Sequence, residues 1–106
     1  QSRSNKIKVM IQFRDLEFEP RGFGGVGATH TFDNNITISI QAGKGNYSTP
    51  REDLTSSDQF SSFEVAIWGE DGEFITKEFF PDHNDDVLGW QDRGEINALI
   101  LLIQDK

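Results

Sequence analysis

The chain has 106 residues, the length of one domain, and it can bury a single core without covalent crosslinks. It has no cysteine, which excludes disulfides, thiolate zinc sites and a cysteine nucleophile, and is typical of a reducing cytoplasm. Its net charge of -8 repels phosphate backbones, so we expect no direct nucleic-acid binding; the charge favours basic partners or serves solubility alone.

The N-terminal residues and the length of the apolar runs lead to expectations about domains and membranes. Residues 1–5 carry no apolar targeting segment and no initiator Met, so we interpret them as a flexible N-terminus or an expression remnant. Residues 6–106 are then a single α+β domain. No apolar run approaches the roughly eighteen residues of a membrane span, and we expect no membrane partner.

Residues 7–14 alternate apolar and polar side chains, which predicts a half-buried strand. Residues 21–27 follow with four glycines. Such a loop can cradle a phosphate, but no Walker lysine follows it and the next segment has a strand pattern. We therefore predict a turn or a close approach of backbones at this loop.

Residues 28–32 and 36–40 are predicted to be two strands joined by a turn at residues 33–35, where Asp and Asn favour tight backbone geometry. The polar segment that follows, up to about residue 62, is predicted to be a long surface loop. Ordered loops of this length are often functional, and otherwise they are mobile.

Residues 63–68 alternate again, with Phe63, Val65 and Ile67 on one face. Residues 69–72 have the composition of a turn, and residues 73–76 are predicted to return as the partner strand of a hairpin. The acidic residues 82–86 lack the spacing of a calcium-binding loop, so we predict a turn there and no metal.

The last segment has the period of a helix. Asp92 and Glu95 have the spacing of a capping box, and Trp90 is placed to pack beneath the first turn. The expected buried stripe is Ile96, Leu99, Ile100 and Ile103.

Leu101 and Leu102 widen that stripe, while Asn97 and Gln104 are expected to be exposed. The helix is therefore buried on more than one side or carries a surface for homo-oligomer formation. Together these patterns predict an α+β fold, an antiparallel sheet of four or five strands with one C-terminal helix packed on a face.

The loops between the strands contain most of the residues suited to binding a ligand. Arginine and lysine donors beside an aromatic ring and flexible glycines would suit a small nucleotide that carries phosphate. Alternatively, the tyrosine packs against the sheet edge and the charges are scattered. The candidate residues are Arg21, Phe23, Lys44, Asn46, Tyr47 and Arg51.

Trp68 supports a different hypothesis, an inhibitor of another protein. By alternation it lies on the face opposite Phe63, Val65 and Ile67, and an exposed tryptophan among acidic residues would be a natural hot spot. Catalysis is disfavoured, because the chain has no nucleophile motif and no spacing that pairs its two histidines with a partner. We predict no cofactor.

Five short motifs give the chain a family resemblance over about its last two-thirds. They are Ile-Ser-Ile-Gln at 38–41, Gly-Lys-Gly-Asn-Tyr-Ser at 43–48, Glu-Val-Ala-Ile-Trp at 64–68, Asp-Gly at 71–72 and Asp-Asp-Val-Leu-Gly-Trp at 85–90. This order resembles small uncharacterised proteins encoded by bacteriophages and prophages. Residues 91–94 depart from the Ser/Thr-Pro-Glu-Glu start usual before the helix in that pattern.

The resemblance implies a context: a non-enzymatic accessory or counter-defence protein in the cytoplasm of a bacterial host cell. Such a protein either inhibits a host immune protein or sequesters a signalling nucleotide. The alternative is a minor structural or self-assembling virion protein. No functional residue is carried over from the resemblance.

Overall fold

The computed structural model describes residues 10–106. Five strands form one antiparallel sheet in the order β1-β2-β3-β4-β5, and a C-terminal helix packs against it, which confirms the predicted fold class. The elements are β1 Glu19–Pro20, β2 Val26–Thr31, β3 Thr37–Ala42, β4 Phe63–Trp68, α1 Thr76–Phe79, β5 Val87–Gln91 and α2 Arg93–Gln104. Two 3₁₀ turns, Phe13–Asp15 and Ser57–Gln59, complete them.

Strand β4 is the centre of the core. Its side chains alternate between buried and half-buried positions along all six residues, as the period of two predicts. The buried face of β4 packs against the apolar stripe of α2, and neither set of side chains is exposed to water. Trp68 ends β4 on the other face, where the sequence places it.

The predicted hairpin partner of β4 is wrong. The turn at residues 69–72 is present, because Gly72 N donates to Gly69 O and Gly69 N donates to Glu73 O. Pairing then ends after a single bridge between Trp68 and Phe74, and residues 76–79 are helical. The strand that pairs with this side of β4 is β5, which begins at Val87.

Thr76 gives the physical reason for this early end. Its hydroxyl accepts a hydrogen bond from Ile67 N at 3.0 Å and lies within bonding distance of the carbonyls of Ile67 and Asp86. A side chain thereby takes the place that the next residue of a partner strand would have on β4. The bond to Asp86 also positions the chain at the start of β5.

The N-terminal strand predicted over residues 7–14 is not formed in its described part; residues 7–9 lie outside the described residues, as does the boundary between residues 5 and 6. Residues 10–12 have no regular structure and a 3₁₀ turn follows. Their backbone pairs with side chains of α2 instead of a strand: Gln104 bonds both Ile11 N and Ile11 O, and Asn97 accepts from Phe13 N. Alternation indicated an extended segment but not its partner.

Helix α2 begins as predicted. Glu95 N donates to the Asp92 carboxylate at 2.8 Å, and Asp92 N donates to the Glu95 carboxylate at 2.9 Å, which completes the capping box. Gln104 was expected to be exposed, but it is only 7% exposed because it holds residue 11. Leu101 and Leu102 are exposed, so a self-association surface on α2 stays a prediction.

Replacing Ile100 by Asp tests the helix–sheet contact. Ile100 is fully buried in the core, so an unpaired carboxylate there is expected to lower the free energy of unfolding by more than about 3 kcal/mol. The matched control is Leu102→Asp, because Leu102 lies on the same helix and is 52% exposed. Chemical denaturation of both variants measures the difference, and equal stability would contradict this packing.

Candidate functional site

Six of the seven predicted site residues come together at one end of the sheet. Arg21 and Phe23 lie in the turn between β1 and β2, and the other four follow β3. A cavity of about 350 Å³ lies between the two loops. It is lined by Arg21, Phe23, Gln41, Lys44, Gly45, Asn46 and Asp53.

Trp68 does not join this group. It pairs with Thr37 at the start of β3, whereas the cavity lies beyond the other end of that strand, where Gln41 pairs with Glu64. Trp68 is half-buried and meets Phe74 edge to face, with ring centroids 6.0 Å apart.

Arg21 acts as a clamp between the two loops. Its Nε donates to Gly24 O at 2.7 Å, and its two terminal nitrogens donate to the Gln41 side chain and to Ala42 O. The guanidinium also lies 4.6 Å from the centroid of the Phe23 ring. Burial lowers the pKa of Arg21, and the carboxylates of Asp53 and Glu64 act in the opposite direction. Three of its nitrogens are thus already engaged within the fold.

The glycines of the first loop make room for this clamp, as the predicted close approach requires. A Cβ on Gly25 would lie 2.3 Å from Ala42 O and 2.4 Å from an Arg21 terminal nitrogen. A Cβ on Gly24 would lie 2.6 Å from the carboxyl carbon of Asp53. The Asp53 carboxylate in turn accepts from Lys44 N at 2.9 Å. Glycine therefore serves packing here.

Glu64 fixes the second loop to the sheet. Its carboxylate accepts hydrogen bonds from Tyr47 N at 3.0 Å and from the Asn46 side-chain amide at 3.3 Å. Asn46 is buried, and its Oδ1 has no hydrogen-bond partner within residues 10–106. Because Glu64 lies on β4, which pairs with a strand on each side, the position of Tyr47 is defined by the sheet and not by the loop alone.

A β-bulge in β5 places Trp90 beside Tyr47. Phe63 pairs with Gln91 and Val65 pairs with Leu88, so Glu64 alone faces two residues of β5. Trp90 has a φ of 53°, in the left-handed region, and its N–H donates to Tyr47 O at 2.9 Å. Such backbone costs a residue with a side chain roughly 1–2 kcal/mol.

The bulge turns the Trp90 side chain outward. Trp90 is 54% exposed and stacks on Tyr47, with ring centroids 5.0 Å apart and an angle of 27° between the rings. The prediction that it packs beneath the first turn of the helix is therefore wrong. The Arg51 guanidinium lies 5.3 Å from the centroid of the Tyr47 ring. We call Tyr47, Arg51 and Trp90 the aromatic patch.

One residue in the sequence does indicate this patch, although it is not part of an apolar–polar alternation. Gly89 precedes Trp90 inside a strand, where glycine often marks a bulge or a close approach of another backbone. Here a Cβ on Gly89 would lie 2.6 Å from the Cβ of Tyr47. The tight contact between strand and loop therefore depends on that glycine.

Among residues 10–106, no three His, Cys, Asp or Glu side chains come together in a way that suits a metal ion. His83 bonds Val87 O through Nε2, and His30 meets Phe32 edge to face at 4.8 Å. Both histidines thus make contacts with residues close to them in sequence.

No family model matches the chain, and no curated protein or solved structure shows significant similarity to it. Within residues 10–106, none of the helices has the length and apolar character needed to cross a bilayer.

Replacing Gly89 by Ala tests the contact between β5 and the second loop. The new methyl group would overlap Tyr47, so we expect a loss of about 1–3 kcal/mol in the free energy of unfolding. Gly22→Ala is the control, because no heavy atom lies within 4 Å of the Cβ it would add. Urea denaturation compares them, and a neutral Gly89 variant would show that Tyr47 is not held against the strand.

The left-handed backbone of Trp90 can be tested with two substitutions at one position. Both Trp90→Gly and Trp90→Ala remove the stack, but only glycine relieves the strain, so the glycine variant is expected to be more stable by roughly 1 kcal/mol. The same pair at Trp68, which has no positive φ, should rank in the opposite order. Alanine equal to or better than glycine at residue 90 would disprove the strained geometry.

Proposed function

We propose that this chain is a non-enzymatic binding protein that contacts a protein partner through the aromatic patch. The observation that supports it is the outward Trp90, which the fold holds in an unfavourable backbone conformation and stacks on Tyr47. Tryptophan, tyrosine and arginine are the residues most enriched at binding hot spots. Rigid stacking also lowers the entropy that a side chain loses when it is buried in an interface.

The charges around the cavity between the two loops favour a protein partner over a nucleotide. Three Arg21 nitrogens are already bonded within the fold, and the Asp53 and Glu64 carboxylates lie close enough to oppose its pKa shift. A phosphate would meet these carboxylates at short range, whereas a basic protein surface would be attracted by them and by the net charge of -8. Exposed aromatic faces also accept arginine or lysine cations.

The biological setting of the proposal follows from the resemblance to phage and prophage proteins. In that setting the partner is a protein of the bacterial host, and the chain acts in the host cytoplasm by blocking an immune protein. Binding alone is enough for this role, because a stable complex that covers a functional surface inhibits without chemistry.

Phage plating on bacterial strains that each carry one immune system tests the proposal. The wild-type chain is expected to restore plating against at least one system, and Trp90→Ala and Tyr47→Ala are expected to lose this effect. With the purified immune protein, each substitution should weaken binding by at least about 30-fold, as hot-spot residues do.

Phe74→Ala is the control for that experiment, because Phe74 is an exposed aromatic residue beside Trp68, away from the aromatic patch. A folded Trp90→Ala variant as active as the wild type would refute the patch. If Phe74→Ala alone lost activity, the contact surface would instead be the one that contains Phe74 and Trp68.

A signalling nucleotide is the second candidate ligand. It is favoured by the partnerless buried Oδ1 of Asn46 beside a cavity that also contains Lys44 and the 78% exposed Phe23. A nucleotide that binds only the folded chain raises the melting temperature by mass action. Thermal shift with cyclic and ADP-ribose nucleotides therefore separates the two candidates, since a protein-binding patch gives no such rise.

A further inference from the structure

The two edges of the sheet differ in whether their outward backbone groups are already occupied. On β5, which forms one edge, His83 Nε2 bonds Val87 O and Gln91 Nε2 donates to Gly89 O. The carbonyls of Val87 and Gly89 are therefore both occupied by side chains. The bulge at Trp90 further interrupts this strand. Side chains and irregular backbone thus prevent another strand from pairing with β5.

The opposite edge is formed by β1 and β2, and β1 covers only part of β2. Their pairing is limited to Glu19 with Gly27 and Pro20 with Val26. Before β1 the chain turns into the core, where Phe18 packs against Phe13 and Phe63 at 5.5 Å each. Among residues 10–106, no other segment pairs with this side of β2.

The direction of the free backbone groups follows from two hydrogen bonds. Phe32 N donates to Ile36 O across the β2–β3 turn, and Arg21 N donates to Gly25 O on the other side. In an antiparallel ladder every second residue faces the same neighbour. The even-numbered residues of β2 therefore face β3, and the N–H and C=O groups of Thr29 and Thr31 face outward.

Within residues 28–31 this edge lacks three of the features that usually prevent pairing. Residues 28–31 are Ala, Thr, His and Thr, without lysine, proline or a bulge. The side chains of Thr29 and Thr31 are exposed, and both residues favour extended backbone. Among the described residues, the backbone N–H and C=O groups of Thr29 and Thr31 are therefore unpaired and have strand geometry.

Acidic side chains select what can pair there. A cavity of about 450 Å³ lies along β1, and Glu17, Glu19 and Thr29 are among the residues that line it. Arg21 also lines it, but three of its nitrogens are bonded within the fold. A second copy of this chain would bring the same carboxylates and a further charge of -8, whereas a lysine or arginine side chain would be attracted.

We propose that the β2 edge at Thr29 and Thr31 is a docking site for an extended basic segment of a partner protein, which adds to the sheet as a strand. Backbone hydrogen bonds supply the attachment, and Glu17 and Glu19 select a lysine or arginine beside Thr29. This surface is separate from the aromatic patch, which lies at the β5 side, and does not rest on the function proposed for it.

Amide hydrogen exchange of the full chain tests the proposal, with a short end-blocked peptide of alternating lysine and threonine as the probe. The peptide is expected to slow exchange at Thr29 and Thr31 by at least about tenfold, because their N–H groups become paired. The same peptide with alternate backbone nitrogens methylated should have no effect. A peptide with glutamate in place of lysine should bind several-fold more weakly, and so should the lysine peptide to a Glu17→Gln, Glu19→Gln variant.

Four results would overturn the proposal. The first is unchanged exchange at Thr29 and Thr31 at saturating peptide, and the second is equal slowing by the methylated peptide. The third is slow exchange in the free chain that does not depend on its concentration, which means that the chain covers its own edge. The fourth is slowing that grows with protein concentration alone, which means that a second copy does so. Trp90→Ala should leave the effect of the peptide unchanged.

Discussion

The packing of Phe63 is the contact on which the rest of the structure depends. Its ring lies 5.4 Å from Phe13, 5.5 Å from Phe18 and 6.2 Å from Phe60, and the guanidinium of Arg93 lies 5.2 Å from its centroid. The N-terminal segment, the end of the long loop and the start of α2 therefore meet at one fully buried side chain. Arg93 also donates to the carbonyls of Phe60 and Ser57, so the start of α2 is tied to the end of the long loop.

The same residue links the core to the candidate site. Phe63 is paired with Gln91 and Val65 with Leu88, and the side chains of Phe63 and Val65 are both fully buried in the core, which fixes the register of β4. The residues between these two pairs do not match in number, so the surplus in β5 must leave the plane of the ladder. The outward direction of Trp90 is thus a consequence of core register, and the aromatic patch inherits its rigidity from the core.

Local patterns in the sequence predicted those parts of the fold whose partners are close in the chain or need no partner. The capping box at Asp92 and the alternation of residues 63–68 are of this kind, and both are confirmed. The failures share a cause: a period of two indicates extended backbone but does not identify what it bonds to. The strand predicted over residues 73–76 ends after one bridge because the Thr76 hydroxyl bonds β4 in place of backbone, and Ile11 and Phe13 pair with helix side chains. The candidate residues in the two loops did converge. The outward position of Trp90 was not predicted, because it depends on the register between two strands that are far apart in sequence.

The blocked carbonyls of Val87 and Gly89 have a consequence for assembly as well as for binding. Fibres that grow by sheet extension need two usable edges in every subunit, since each new strand must itself accept another. In this chain one edge is closed by His83, Gln91 and the bulge. If two copies did meet at their open edges, pairing would end at a pair, so the sheet is a poor template for indefinite growth.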